Sequence, residues 1–224
     1  MEFETQTGIE HGAPVDVYQT WAWPAQPAPG QRQTARTLFS ARSPSPSSPM
    51  KLVEDNGIDL VTPAPATMPG RGQVTVVCFR GSGQTGCGWG QVNTPAGMWS
   101  RFTMLTGART DVGAGGLFNP ALLAGAVAKG VWRVVGRTRL AGQQAIELSE
   151  TGRVSAGVTV IEPLPALLWV NARTYLPIRL VNGTGRGDEA MTVVDFSFLP
   201  ATPANVALTR VPVPPGYPRY VPKR

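Results

Sequence analysis

The chain has 224 residues, 42% of them hydrophobic and only 15% charged, a balance that excludes a charge-rich disordered protein and allows a substantial core. Glycine (26) and proline (22) are abundant, which excludes a bundle of long helices and implies short strands joined by many turns. The net charge of +6 rests on arginines spread evenly along the chain, with no stripe or tail of the kind that grips nucleic acid, so nucleic acid is not an expected partner.

Residues 1–12 read as a flexible lead-in, leaving 13–224 as a single domain. The acidic, polar start at Met1–Thr5 is no signal peptide, so an exported form implies a leader or anchor left out of this chain, or a misplaced gene start. Val15, Val17, Trp21 and Trp23 alternate along a strand, and Arg32–Ala41 follows as its hairpin partner. Residues 43–49 (SPSPSSP) are a low-complexity loop. Met50–Val61 reads as two short strands around the turn dipeptide Asn56-Gly57.

Gln73–Arg80 is an apolar strand, followed by a Gly-rich loop that carries the second of two cysteines, Cys87. The stretch between Cys78 and Cys87 is flexible enough to let them meet. A disulfide is the favoured reading, with an extracytoplasmic location as its consequence; two unrelated thiols are the alternative. Thr94–Leu105 fits either a helix, with Thr94 as cap and Pro95 at the first position, or a strand; helix is the expectation. At 119–130, Asn119 caps, Pro120 opens and Gly130 ends an uncharged helix, apolar on nearly every side. Such a helix belongs between two apolar surfaces or over a greasy opening.

From Val131 the pattern is β: Val131–Leu140 with Gln144–Ser149, then Val158–Glu162, Ala166–Asn171, Pro177–Asn182 and Glu189–Leu199. One helical turn is expected at Thr202–Leu208, and the Pro-rich end should lie extended along the body. A sheet of about nine to eleven strands must curl or close, because long flat sheets are unstable and leave unpaired edges.

No catalytic constellation emerges. The only histidine, His11, falls in the expected lead-in, where it cannot hold a base in geometry. Two cysteines and one distant histidine do not make a zinc site. The loop at Gly81–Cys87 lacks the lysine of a phosphate loop, and Glu54–Asp59 lacks the ligand spacing of a calcium loop. A non-enzymatic protein without cofactor or metal is expected.

The hairpin Leu168–Leu180 (LWVNARTYLPIRL) resembles the W-V-D-x-x-T-x-L-P-x-R hairpin of the LolA-type lipoprotein-carrier superfamily, which includes lipid-carrying lipoproteins and lipoprotein-sensing domains of envelope-stress regulators. Upstream, VVGRTRLAGQQAIELSE is similar to the strand pair before that hairpin. Downstream, FSFLPATPANVALTRVPVPPGY is similar to the ending of secreted actinobacterial proteins of this kind. Asn171 stands where Asp is usual, Phe198 where Trp is common, and no lipobox cysteine opens the chain.

The resemblance covers about Val131–Tyr217. It implies an α+β fold: a strongly curved antiparallel β-sheet, a half-open barrel, with a few helices covering the concave side. It also implies an extracytoplasmic carrier or sensor that takes acyl chains of lipid or lipoprotein into a hydrophobic cavity. Trp99, Phe102, Leu105, Leu122, Leu123, Trp132 and Trp169 are the candidate lining, with core filling as the bland alternative. A second reading on the same scaffold is a regulatory, protein-binding domain of a membrane-anchored envelope regulator with no cavity. The positive charge is compatible with a mild attraction to anionic membrane surfaces.

Overall fold

The computed structural model describes residues 1–10, 13–25, 31–41, 51–61, 70–80, 85–106, 120–150, 166–183 and 191–222. The strands are β1 (Glu2–Glu10), β2 (Ala13–Trp23), β3 (Arg32–Ala41), β4 (Lys51–Val61), β5 (Gly70–Cys78), β6 (Gly86–Trp89), β7 (Val92–Pro95), β8 (Trp99–Thr106), β9 (Trp132–Leu140), β10 (Gln143–Glu150), β11 (Ala166–Asn171), β12 (Pro177–Asn182) and β13 (Met191–Phe198). The helices are α1 (Pro120–Ala128) and α2 (Pro203–Ala207). Eleven strands form one antiparallel sheet in the order β8-β5-β4-β3-β2-β1-β13-β12-β11-β10-β9, and β6 pairs with β7 separately. The α+β class expected from the sequence is therefore found, with β8 and β9 at the ends of a sheet that does not close on itself. The chain divides into two compact units: Met1–Glu4, Asp16–Gly113 and Phe198–Arg224 in the first, Thr5–Val15 and Ala114–Ser197 in the second.

In the first unit the sheet has two unlike faces. Ile58, Val74, Val76 and Cys78 form the apolar face, joined by the partly buried Phe102 and Met104. The β6–β7 hairpin covers it with Cys87, Trp89 and Ala96. The expected disulfide is present: Cys78 on the sheet and Cys87 on the hairpin are joined, with Cα atoms 5.4 Å apart. Beside it, the fully buried hydroxyls of Thr94 and Ser100 share a 2.6 Å hydrogen bond, so neither polar group is left unpaired.

Three sequence expectations fail in the N-terminal half of the chain, each for a tertiary reason. The first ten residues are not a loose lead-in; they form β1, inserted between β2 and β13. Phe3 stacks on Trp21 at 5.0 Å, and the Met1 ammonium donates to the Leu199 carbonyl at 3.0 Å. Pairing on both sides gives a polar segment hydrogen bonds that its own composition does not advertise. Asn56-Gly57 is not a turn but the middle of β4, where Gly57 pairs with Arg36 on one side and Thr75 on the other. Glycine is needed there because a Cβ would overlap the Val211 side chain, which presses on the strand from the C-terminal segment.

Thr94–Leu105 is strand, turn, strand rather than helix. Met98 donates to the Pro95 carbonyl at 3.1 Å, Gly97 takes the left-handed conformation with φ +78°, and β8 then pairs with β5. Ser100, Phe102 and Met104 turn to the apolar side while Trp99, Arg101 and Thr103 turn away. That period of two is the strand signal the helix-cap reading overrode. The Pro-rich end runs extended, as expected: Trp99 donates to the Pro218 carbonyl at 3.1 Å, and Tyr220 donates to the Trp99 carbonyl at 2.7 Å. The helical turn expected at Thr202–Leu208 is α2, capped by the Thr202 hydroxyl, which accepts from the Asn205 amide at 3.2 Å.

The second unit is a meander from β9 to β13. A two-residue turn with positive φ at Ala141 (49°) and Gly142 (75°) joins β9 to β10, the geometry that suits the twist of a tight hairpin. Leu148, Leu168, Leu180 and Val194 lie in register across β10, β11, β12 and β13. Leu168, with no exposed surface, stands at the centre of a core that also takes Ile146, Val170 and Phe196. The uncharged helix is present as α1, and it contributes Leu123 and Val127 to that core.

The hairpin that stood out in the sequence is built by Asn171. Its Oδ1 accepts from the amides of Arg173 and Thr174, both at 2.9 Å, and its backbone carbonyl accepts from Tyr175 at 2.9 Å. Pro177 falls where the register shifts opposite Val170, so the missing N–H breaks no ladder bond inside the strand. The strand expected at 158–162, the loop at 43–49 and the Asn119 cap lie outside the described residues.

Candidate binding surface

The face of the first unit's sheet opposite the β6–β7 hairpin is polar over two neighbouring rows of residues. Arg36, Gly57, Thr75 and Arg101 stand in one row across β3, β4, β5 and β8, and Thr34, Asp59, Gln73 and Thr103 stand in the next. Trp21 faces Arg36 from β2, and the guanidinium lies over its ring at 5.4 Å. Arg36 binds Asp55 through both carboxylate oxygens, with Nε–Oδ1 2.8 Å and Nε–Oδ2 3.0 Å. Asp55 is fully buried and the Arg36 side chain is only 15% exposed, so this pair is held away from water. Burial pushes the Asp55 carboxyl up more than the Arg36 hydrogen bonds and charge pull it down.

The second unit repeats the arrangement on its own polar face. Glu147, Trp169, Arg179 and Asp195 are in register across β10 to β13, and Arg179 Nε binds Asp195 Oδ1 at 2.6 Å. This pair is open to solvent, at 38% and 47% exposure. Gly136 faces Glu147 from β9.

Two concave sites lie on these surfaces. A polar groove of about 530 Å³ in the first unit is lined by residues of β3, β4, β5 and β8, among them Arg32, Thr75 and Arg101, and by the C-terminal segment Thr209–Val211. Arg32 pairs with Asp59 at its rim. Arg101 Nε is tied to the Thr75 hydroxyl at 3.1 Å, and the same guanidinium lies 5.7 Å from the Trp99 ring centre. Arg219 approaches Trp99 as well, at 5.4 Å. A second hollow, about 460 Å³, lies at the tip of the second unit between Gln143-Gln144 and Asn171–Thr174. Among the described residues no group of three or more His, Cys, Asp or Glu side chains could hold a metal.

Two further carboxyls have displaced titrations. Glu2, only 3% exposed, is pushed up to about 7, chiefly by burial and then by the neighbouring charge of Glu4. Burial also raises Glu54, against hydrogen bonds from the Asn56 amide and the Gly88 backbone. No nucleophile accompanies either in the contacts described.

Within each unit, the residues expected to line an acyl cavity fall on opposite faces of the sheet. Leu123 and the partly buried Trp132 share the second unit's core. Trp169 lies on the opposite face of the same strands, between Glu147 and Arg179. In the first unit, Phe102 packs against the disulfide-bearing core, while Trp99 lies on the polar side between two arginines. Leu105 is in β8 and Leu122 in α1; their side chains lie outside the described residues. Sequence reasoning missed both Trp–Arg–Asp sets. For Trp169 and Arg179 the sequence shows the two strands, but not the register shift between Trp169 and Val170 that sets them opposite one another. For Trp21, Arg36 and Asp55 the signal was hidden by the turn expected at Asn56-Gly57.

These features define a class: an open antiparallel sheet whose exposed polar faces carry paired charges, arginines and tryptophans. No helix among the described residues is long and apolar enough to cross a membrane. No protein-family model matches the sequence, and no curated protein matches it. Among solved structures, the chain is similar to the crystal structure of MucB, with 15% identity, 87% of this chain and 50% of that chain covered, and a TM-score of 0.39. It is also similar to MucB in complex with MucA(peri), with 16% identity, 91% and 53% covered, and a TM-score of 0.34. The chain spans about half the length of those structures.

Proposed function

We propose that this chain is a non-catalytic, extracytoplasmic binding domain that engages an envelope partner through the polar faces of its sheet, as a regulatory domain does. The placement of the expected cavity residues carries this reading. Leu123 is packed inside one core, Trp132 and Phe102 are partly buried against cores, and Trp99 and Trp169 stand beside arginines on polar faces. The Cys78–Cys87 disulfide supports a compartment where such bonds persist. The sequence resemblance to the LolA-type superfamily supports the same location.

A second reading, a carrier of acyl chains from lipid or lipoprotein, is favoured by α1. PALLAGAVA has no charged residue, so displacing it from Leu168 and Phe196 would expose hydrocarbon on both sides. Each methylene buried there would contribute about 0.8 kcal/mol, enough for a long chain to bind without polar contacts. Native mass spectrometry of freshly purified protein separates the two. The surface-binding reading expects the bare polypeptide mass; a retained acyl lipid at one per chain would overturn it in favour of the carrier.

A further inference from the structure

The geometry points to a phosphate-binding site in the polar groove of the first unit, selective for a phosphate monoester group. This rests on the reading that the polar faces are where binding occurs, and it names the chemistry recognised there.

The argument begins with charge. Four arginines border or share this face. Arg36 is neutralised by its two-oxygen contact with the buried Asp55, and Arg32 is paired with Asp59. Among the described residues, neither Arg101 nor Arg210 has an ion-pair partner, although both line the groove. The groove therefore holds more guanidinium than carboxylate. Three arginines face one aspartate.

The second point is preorganisation. An exposed arginine normally loses rotamer freedom when it grips an anion. Arg101 has already given up part of that freedom. Its Nε is fixed on the Thr75 hydroxyl, itself buried, and its plane is steadied over Trp99, which leaves the two terminal nitrogens as donors. Across the sheet, Arg32 on β3 and Arg101 on β8 are three strand spacings apart, about 14 Å, and offset by four residues along the strands, about 13 Å, so their backbones lie about 19 Å from one another and only their long side chains converge. Long side chains from both walls line the groove beside Thr75, Val211 fills the space over Gly57, and Arg210 lines it from the C-terminal segment.

The third point is the geometry of the ligand. A carboxylate offers two oxygens in one plane, and one arginine fork satisfies it. Donors arriving from three sides, with the Gln73 amide and the Thr34 hydroxyl between them, suit a tetrahedral dianion with three free oxygens. Asp59 competes with a phosphate for Arg32 and is released when the phosphate takes its place.

The test uses the full chain. Thermal unfolding is followed with sodium phosphate, glycerol 3-phosphate or sodium acetate, each added against sodium chloride of equal ionic strength. A rise of a few degrees with the two phosphates and none with acetate is expected. The double variant Arg101→Gln/Arg210→Gln should lose the rise, and Arg137→Gln/Arg139→Gln on β9 should keep it. Asp59→Asn should strengthen binding several-fold by freeing Arg32. Sedimentation with phosphatidic acid vesicles against phosphatidylcholine vesicles then distinguishes a lipid headgroup from a soluble phosphate as the source. No rise with phosphate, an equal rise with acetate, or equal loss in both double variants would overturn the site. A clean polypeptide mass in the native spectrum would leave the surface-binding role standing in each of those cases.

Discussion

The two units meet the same physical demand with different covers. Each must bury one face of an antiparallel sheet. The second unit uses α1, an uncharged helix that lays Leu123 and Val127 on the core. The first uses a short β-hairpin fastened by the Cys78–Cys87 bond. A four-residue strand pair carries too little apolar surface to hold itself down, and the disulfide supplies the missing constraint. Their outer faces show the same contrast. Trp21–Arg36–Asp55 and Trp169–Arg179–Asp195 join the same residue types across strands, yet the first aspartate has no exposed surface and the second is 47% exposed. Identical chemistry is thus structural in one unit and a solvated surface in the other.

Replacing the two aspartates gives the sharpest break in that comparison. Asp55→Ala leaves Arg36 without its partner in a half-buried site and should cost about 3–5 kcal/mol in denaturant unfolding. Asp195→Ala should cost under about 1 kcal/mol, because solvent screens the pair it breaks. Equal losses would mean that the burial difference does not set the energetics.

In the second core, Leu168→Ala removes a side chain with no exposed surface, and a loss of about 2–5 kcal/mol is expected in the same experiment. In the first unit, Glu2 supplies a pH-dependent effect. Its folded titration lies near 7 against an ordinary 4.5, so the native state holds the proton more tightly than the unfolded chain. Stability therefore falls as pH rises from about 4.5 to 7, by about 3 kcal/mol. Glu2→Gln should flatten that slope and leave the variant more stable than the parent at pH 8; an unchanged slope counts against the burial of this carboxyl.

The hairpin cover is tested by Cys78→Ser/Cys87→Ser. Opening a loop of this size should cost about 2–3 kcal/mol on loop entropy. The loss should be matched in the parent chain by reduction with a thiol.

The second unit was more legible in the sequence than the first. Its strands are short, alternate cleanly and are joined by local turns: Ala141-Gly142 and the Asn171 corner both announce themselves. Its helix is marked by Pro120 at the start and Gly130 at the end. In the first unit the deciding partners are distant in sequence. Met1–Glu4 looks like the start of a polar tail until Phe3 meets Trp21 and the Met1 ammonium meets the Leu199 carbonyl. Gly57 looks like a turn residue until Val211 arrives from the far end of the chain. Trp99–Thr106 looks helical beside a Thr-Pro start until β5 supplies a ladder. The binding surface was legible only in part for the same reason: a row of residues across four strands has no spacing that a linear pattern records.

The claim that the apolar faces are filled and binding belongs to the polar ones is tested most directly by titrating the protein with a fluorescent long-chain fatty acid. The account predicts no saturable signal, in the parent chain or in Leu123→Ala. Saturable binding at one probe per chain, weakened by Leu123→Ala or by Trp132→Ala, would contradict it.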